Sequence, residues 1–263
     1  MTPYKSFKAE CSAEIAKQAR DTEFVGAARD WMNRANGHKY SYHFEWLGRP
    51  IIQYPQDIVA MQEIIWSVKP DLIIETGIAH GGSLIFSASM LELNAACGGP
   101  QRAEVLGIDI DIRAHNRAAI EAHPLFRRIS MIEGSSVAPD VVERVRGKAS
   151  GKNGVLVCLD SNHTHDHVLA ELEAYAQLTT LGSYCVVFDT VIEDLNADMF
   201  PDRLWGKGNN PKTAVWEYLR RLEEERRTAT DRTPLHFEID KMIENKLLIS
   251  VAPDGYLKRI GGS

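Results

Sequence analysis

Five short apolar runs recur through the middle of the chain: "DLIIE", "EVLGIDI", "ISMIEG", "GVLVCLD" and "GSYCVVFD". Each is followed by a segment with helical spacing, of which "HDHVLAELEAYAQL" and "PKTAVWEYLRRLEEERR" are the clearest. Strands that are apolar throughout, rather than alternating, are covered on both faces, so this order predicts a parallel sheet layered between helices. Two later stretches, "LHFEID" and "NKLLISVAPDGYLKRI", read as two further strands. Ahead of the first run, "QDIVAMQEIIWSV" sets Ile58, Met61, Ile65 and Val68 at helical spacing, and Pro70 closes that segment. Residues 1 to about 50 read as helical and then irregular.

In such sheets ligands sit at the carboxyl ends of the strands. Here those ends read Glu75-Thr76-Gly77, Asp109-Ile110-Asp111, Glu133-Gly134-Ser135, Asp160-Ser161 and Asp189-Thr190. Helix capping accounts for some acids after strands. Five in succession on one rim favour a binding face.

The first strand runs into "ETGIAHGGS", a turn that opens a helix and aims backbone N–H groups at a ligand. Its spacing, Gly77-x-x-x-Gly81-Gly82, is not the G-x-G-x-x-G fingerprint of dinucleotide sites, and the Lys-Ser or Lys-Thr of a P-loop is missing. A wider turn suits a ligand with a charged, non-phosphate end, such as the amino-acid part of S-adenosylmethionine. Glu75 would stand near the ammonium, directly or through water, and Asp109 is placed to accept both ribose hydroxyls. His80 either contacts the ligand's carboxylate or only begins the helix. Residues 94 to 104 form a loop without expected chemistry.

Three histidines crowd into "SNHTHDH" after the fourth run. As a metal cluster, His163-Thr164-His165-Asp166-His167 is one residue short of the His-x-His-x-Asp-His run of metallo-β-lactamase-type hydrolases. His165 and His167 fall where a helix begins, with Asp166 favouring its positive end, and are expected to be solvated or to stand behind the site. Asp160 and His163 lie in the turn that opens onto the rim. A carboxylate there can hold a divalent cation, and a histidine three residues on suits a general base at neutral pH. Asp189, ending the neighbouring strand, is the natural second carboxylate for Mg²⁺.

Composition narrows the setting. A net charge of −6 without a basic run argues against nucleic acid or anionic membrane as partner. The charged N-terminus lacks the apolar core of a signal peptide, and no run approaches the length that spans a bilayer. Cys11, Cys97, Cys158 and Cys185 have no C-x-x-C spacing. A reduced, soluble, cytoplasmic protein is the expectation.

The blocks "WLGRPIIQYPQDIVAMQE", "KPDLIIETGIAHGGSLIFSASML", "LDSNHTHDHVLAELEAY", "GKGNNPKTAVWEYL" and "NKLLISVAPDGYLKR" together resemble the cephalosporin-hydroxylase-like family, which includes rhamnosyl and macrolide-sugar O-methyltransferases. The resemblance runs from about Trp46 to Arg259. It implies an α/β, three-layer Rossmann-like class I methyltransferase fold, its sheet mostly parallel with a C-terminal antiparallel strand. Residues 1–50 would be an N-terminal arm and 51–263 the methyltransferase domain. The implied cofactors are S-adenosylmethionine and Mg²⁺, and the acceptor is a small molecule or glycan hydroxyl. Candidate cofactor contacts are Glu75, Gly77, His80, Gly81, Ser83, Asp109, Ser135 and Asp160. His163 and Asp160 are the candidate catalytic residues, and Asp160 and Asp189 the metal ligands. The chain departs from the family at Phe188, which stands where the first acid of a strand-end Glu-Asp pair is expected. Glu193 and Asp194, a few residues on, are the nearest acids to compensate.

Asn210 with Pro211 reads as a helix cap. In the loop before it, Phe200 and Trp205 are candidates to stack on an acceptor ring, although lids and oligomer contacts are commoner roles for loop aromatics. A homo-oligomer is expected. Two rival functions remain: a non-haem iron hydroxylase, and a partner subunit that binds the cofactor without catalysis. The iron reading leaves the glycine turn and Asp109 without a role. The retained Asp160, His163 and Asp189 speak against the other, and the glycine spacing disfavours a nicotinamide oxidoreductase.

Overall fold

The computed structural model describes residues 2–261. Two helices, α1 (Pro3–Gln18) and α2 (Thr22–Gly37), precede a hairpin of β1 (Phe44–Trp46) and β2 (Arg49–Ile51). Then α3 (Pro55–Val68) leads into β3 (Leu72–Thr76), α4 (Gly82–Ala96), β4 (Glu104–Asp109), α5 (Ala114–Glu121), β5 (Ile129–Glu133) and α6 (Pro139–Ala149). The chain continues through β6 (Val155–Leu159), α7 (His165–Tyr175), β7 (Tyr184–Val187), α8 (Pro211–Glu225), β8 (His236–Ile239), α9 (Lys241–Leu247) and β9 (Tyr256–Ile260).

Seven strands form one sheet in the order β5-β4-β3-β6-β7-β9-β8. The first five are parallel, and β9 runs antiparallel to both β7 and β8. The apolar runs explain this arrangement. Every residue of β3 and of β6 is buried, and the period-two alternation of a strand sends neighbours to opposite faces. Ile73, Val105, Leu156, Cys158 and Val186 pack with α3 and α4, whereas Leu72, Ile74, Leu106, Val157 and Val187 pack with α6, α7 and α8. Each buried Leu or Ile contributes about 1.5–3 kcal/mol of apolar burial. The result is the three-layer sandwich expected from the sequence.

One expectation fails at the C-terminus. The stretch "NKLLISVAPDGYLKRI" was expected to be extended throughout, yet its first residues close α9, and the strand starts only at Tyr256. Asp240 explains the difference, because its carboxylate accepts the N–H of Met242 and caps a helix. The apolar residues that follow pass under the strand ends, where Ser250 and the Val251 N–H bind the buried carboxylate of Asp57.

The chain reverses direction across the sheet between β3 and β6, since β4 lies on one side of β3 and β6 on the other. Such a switch point leaves a crevice beyond the strand ends. Gly77 sits there with φ at 89°, and a Cβ on it would stand 2.0 Å from the carbonyl oxygen of Asp160. Only glycine lets the two loops leave the sheet this close together.

Helix α1 attaches lightly, whereas α2 buries Ala28, Met32 and Ala35. No residue of α1 is buried, and Gln18 reaches across to the carbonyl of Asn245 at 2.7 Å. The hairpin is better anchored: Trp46 packs edge-on against Phe86 at 4.9 Å and donates to Ser89. No helix among the described residues is long and apolar enough to cross a membrane.

Candidate functional site

The glycine turn between β3 and α4 is held from three sides. The Asp109 carboxylate accepts the N–H groups of Ile78 and Ala79 at 2.8 and 3.2 Å. Arg49, from β2, donates through Nε to the His80 carbonyl at 3.0 Å and through its terminal nitrogen to Asn116. Asn116, buried in α5, donates to the Ala79 carbonyl at 2.9 Å. These bonds keep Ala79 and Gly81 at φ of 45° and 82°, a conformation that costs free energy at the non-glycine position.

Beneath the turn lies Glu75, 5% exposed, accepting a hydrogen bond from the Ser83 hydroxyl in the first turn of α4. Burial disfavours its charge and pushes its carboxyl up to about 7, against the smaller opposing effect of Ser83. Burial likewise lifts Asp57 to about 6, although Ser250, Tyr256 and the Val251 N–H bind it.

Across the crevice, Asp160, His163 and Asp189 bring one potential ligand atom each within 4.8 Å of one another. Asp160 leaves β6 with its N–H on the Thr76 carbonyl at 3.0 Å. Burial, and then the neighbouring charge of Asp189, hold its carboxyl well above the usual range. Asp189 lies just past β7 with φ at 55°, and its Oδ2 is 3.4 Å from Nδ1 of His163. Trp205 meets the His163 ring edge-on at 5.3 Å and contacts Phe200 at 4.7 Å, and Arg203 lies over the indole.

A cleft of about 730 Å³ joins these parts. Gly77, His80, Ser83, Asp160, His163 and Asp189 line it, as do Asn36, Lys39 and Tyr42 at and just after the end of α2. Glu75 lies deeper, with Phe188, along a narrow extension that shares Gln53, Ser83 and Asp160. Asp109 and Ser135 do not line the cleft. The first supports the turn from its far side, and the second follows β5, where its carbonyl accepts the Ala138 N–H.

The other histidines have structural partners. His165 bonds Thr213 at 2.8 Å, and its N–H meets Asn209. His167 sits between the hydroxyls of Ser136 and Ser161. Glu193 and Asp194, expected as compensating acids, do not join Asp160 and Asp189. Glu193 accepts from Gly208 and Asn210, and Asp194 pairs with Lys212, so both are committed to the start of α8. Asn210 does form the expected cap, with bonds to and from Thr213. Phe188 is buried in the core between the sheet and α3 and α4 and offers no ligand atom.

Arg49, Gln53 and Asn116 have no place among the residues expected from the sequence. The signal was slight: Gln53 is a polar residue set inside "PIIQYP", and the other two look like ordinary surface residues.

Comparison with known proteins agrees with this geometry. The family described as rhamnosyl O-methyltransferase/CmcI matches residues 38–260. A rhamnosyl O-methyltransferase of Mycobacterium leprae is 31% identical over 216 residues, 81% of this chain and 82% of its own length. One from Mycobacterium tuberculosis strain H37Rv is 32% identical over 207 residues, 77% of this chain and 73% of that protein. Among solved structures, cmcI-D160 with Mg-SAM superposes with a TM-score of 0.54 at 19% identity, covering 84% of this chain and 78% of that one. An O-methyltransferase from Bacillus cereus in complex with SAH gives 0.50 at 13% identity, over 90% and 91%. These two likenesses concern the fold alone. The chain belongs to the rhamnosyl O-methyltransferase/CmcI family.

Proposed function

We propose that this protein is an S-adenosylmethionine-dependent, Mg²⁺-assisted O-methyltransferase whose acceptor is a hydroxyl of a sugar or glycosylated small molecule. The observation that carries the reading is the convergence, on one cleft, of the clamped glycine turn with Asp160, His163 and Asp189. The residues fit the cofactor: the turn has no room for a Cβ at Gly77, and the buried Glu75 carboxyl lacks a cation to stabilise its charge. They also fit a hard cation, because burial and the nearby charge of Asp189 make Asp160 costly to ionise alone, and carboxylate oxygens are the ligands such an ion prefers.

S-adenosylmethionine supplies an electrophilic methyl group for transfer to an acceptor oxygen. Asp160 and Asp189 would hold a divalent cation, whose chemistry there would be to lower the pKa of an acceptor oxygen. Glu75 would receive the ammonium end, Gly77, His80 and Ser83 shape the wall beside it, and Gly81 packs toward Ile120 and keeps the turn in shape. Asp109 fixes the turn through two N–H bonds to one oxygen, while its other oxygen accepts the Asp111 N–H, so its part in holding the cofactor would be to shape the turn. His163, steadied through Nδ1 by Asp189, takes the hydroxyl proton on its other ring nitrogen. Trp205 and Phe200 form an apolar wall against which a sugar ring can lie. Holding donor and acceptor in line supplies much of the acceleration.

Residues 1–50 are assigned as an arm that roofs the acceptor side, supported by Asn36, Lys39 and Tyr42 in the cleft wall. Exposed Tyr4, Phe7, Phe24 and Trp31 along it support a homo-oligomer, and four free cysteines suit the cytoplasm. The iron-hydroxylase reading loses support, since the cluster offers one histidine and two aspartates rather than two histidines and one carboxylate.

The test is calorimetric titration with S-adenosylhomocysteine. Micromolar binding that Asp109→Ala weakens by about tenfold or more, ~1.4 kcal/mol, supports the reading. Absence of binding sinks it.

A further inference from the structure

The side chain of Gln53 is set apart by its place beside Asp160. It leaves the loop between β2 and α3, is 7% exposed, and lines both the cleft and its inner extension. Its Nε2 donates to Oδ2 of Asp160 at 3.3 Å, while its Oε1 is buried without a hydrogen-bond partner. Buried amide oxygens are normally satisfied, and one that is not calls for an explanation. Leucine or methionine would fill the same space, among Ile51, Ile58 and Met61, without leaving an orphaned oxygen.

We propose that Gln53 is a ligand of the cation held by Asp160 and Asp189, contributing its amide oxygen as a neutral donor. The proposal rests on the metal-assisted reading above. Amide oxygen and nitrogen occupy nearly equivalent positions, so a half-turn of the terminal group sets Oε1 where Nε2 now stands, facing Asp160. The observed 3.3 Å is close to the ~3 Å between adjacent oxygens of an octahedral Mg²⁺ with ~2.1 Å bonds. Without a cation, the amide turns its N–H toward the carboxylate; with one, the oxygen is the favoured end. The orphaned Oε1 is then the cost of a side chain that serves two states.

Position supports the same assignment. Phe188 closes the inner extension with a ring that cannot ligate, and Glu193 and Asp194 are engaged at α8. Gln53, by contrast, touches Asp160 and keeps an oxygen without a hydrogen-bond partner. Two aspartates and one amide balance a divalent cation without excess charge, whereas a third acid here would add to the repulsion that already raises Asp160.

Mn²⁺ binding, followed by loss of the free-ion electron paramagnetic resonance signal, tests this directly, with S-adenosylhomocysteine titrated in parallel. For Gln53→Leu the expected result is Mn²⁺ binding about tenfold or more weaker than wild type, with thermal stability of the metal-free protein kept or raised. For Gln53→Glu the expected result is tighter Mn²⁺ binding, by about tenfold, and a metal-free form that melts lower. Wild-type Mn²⁺ affinity in Gln53→Leu overturns the proposal and leaves Gln53 as a partner of Asp160 alone. A wild-type protein that binds S-adenosylhomocysteine but no Mn²⁺ overturns it too. Loss of cofactor binding with Mn²⁺ binding intact instead counts against the methyltransferase reading and spares the ligand assignment.

Discussion

Glu75→Gln isolates the charge of the buried carboxylate without altering its shape. Burial raises the Glu75 carboxyl from an ordinary 4.5 to about 7. The folded protein therefore holds a proton that the unfolded chain releases, and the stability this provides is full below about 4.5 and is lost as pH rises through about 7. Raising the carboxyl from 4.5 to about 7 corresponds to ~3.5 kcal/mol. The unliganded glutamine variant should match wild type near pH 4 and exceed it by up to that amount at pH 8. Cofactor affinity should move the other way. The ammonium of S-adenosylhomocysteine requires the carboxylate, about one-tenth of which is present at pH 6 and about nine-tenths at pH 8. Wild-type affinity should rise by roughly tenfold across that interval, ~1.4 kcal/mol, with proton release at the acid end. Glu75→Gln should bind weakly and without pH dependence. Chemical denaturation and calorimetry in metal-free buffer at three pH values measure both quantities. Wild-type affinity that is flat between pH 6 and 8, or a glutamine variant that binds as well as wild type at pH 8, would refute the pairing of Glu75 with the ammonium.

Other substitutions probe the remaining walls. Gly77→Ala places a Cβ 2.0 Å from the Asp160 carbonyl at a positive φ, so cofactor binding should vanish and the melting temperature fall, read by calorimetry and thermal denaturation. Arg49→Met removes the bonds to His80 and Asn116; the fold should survive while S-adenosylhomocysteine binds about tenfold more weakly. Trp205→Ala opens the wall beside His163, and steady-state kinetics should show the acceptor KM rise with the cofactor KM unchanged.

The sheet was legible because strands covered on both faces are largely apolar: β6 is apolar throughout, and β3 is apolar from Leu72 to Ile74. The grouping of Asp160, His163 and Asp189 was legible for a related reason: they follow the ends of β6 and β7, which are parallel neighbours, so the two loops leave the sheet side by side. Elsewhere the information is tertiary. Nothing local marks Arg49 or Asn116 as clamps, since each acts on a backbone carbonyl 31 or 37 residues away in sequence. Gln53 lies 107 residues from Asp160. The start of α9 was missed because apolar content outweighed the cap at Asp240, a single side chain. Glu193 and Asp194 looked available because proximity in sequence to Asp189 says nothing of their direction, which α8 decides.

The central claim is methyl transfer to a sugar hydroxyl with His163 as the base. The direct measurement is mass analysis of a rhamnoside incubated with S-adenosylmethionine, Mg²⁺ and either wild type or His163→Ala. The account predicts one added methyl group on an oxygen with wild type, and a rate reduced by roughly 10²–10⁴-fold in the variant with S-adenosylhomocysteine affinity unchanged. A wild-type protein that binds the cofactor yet methylates no sugar hydroxyl, or a His163→Ala variant as fast as wild type, would contradict it.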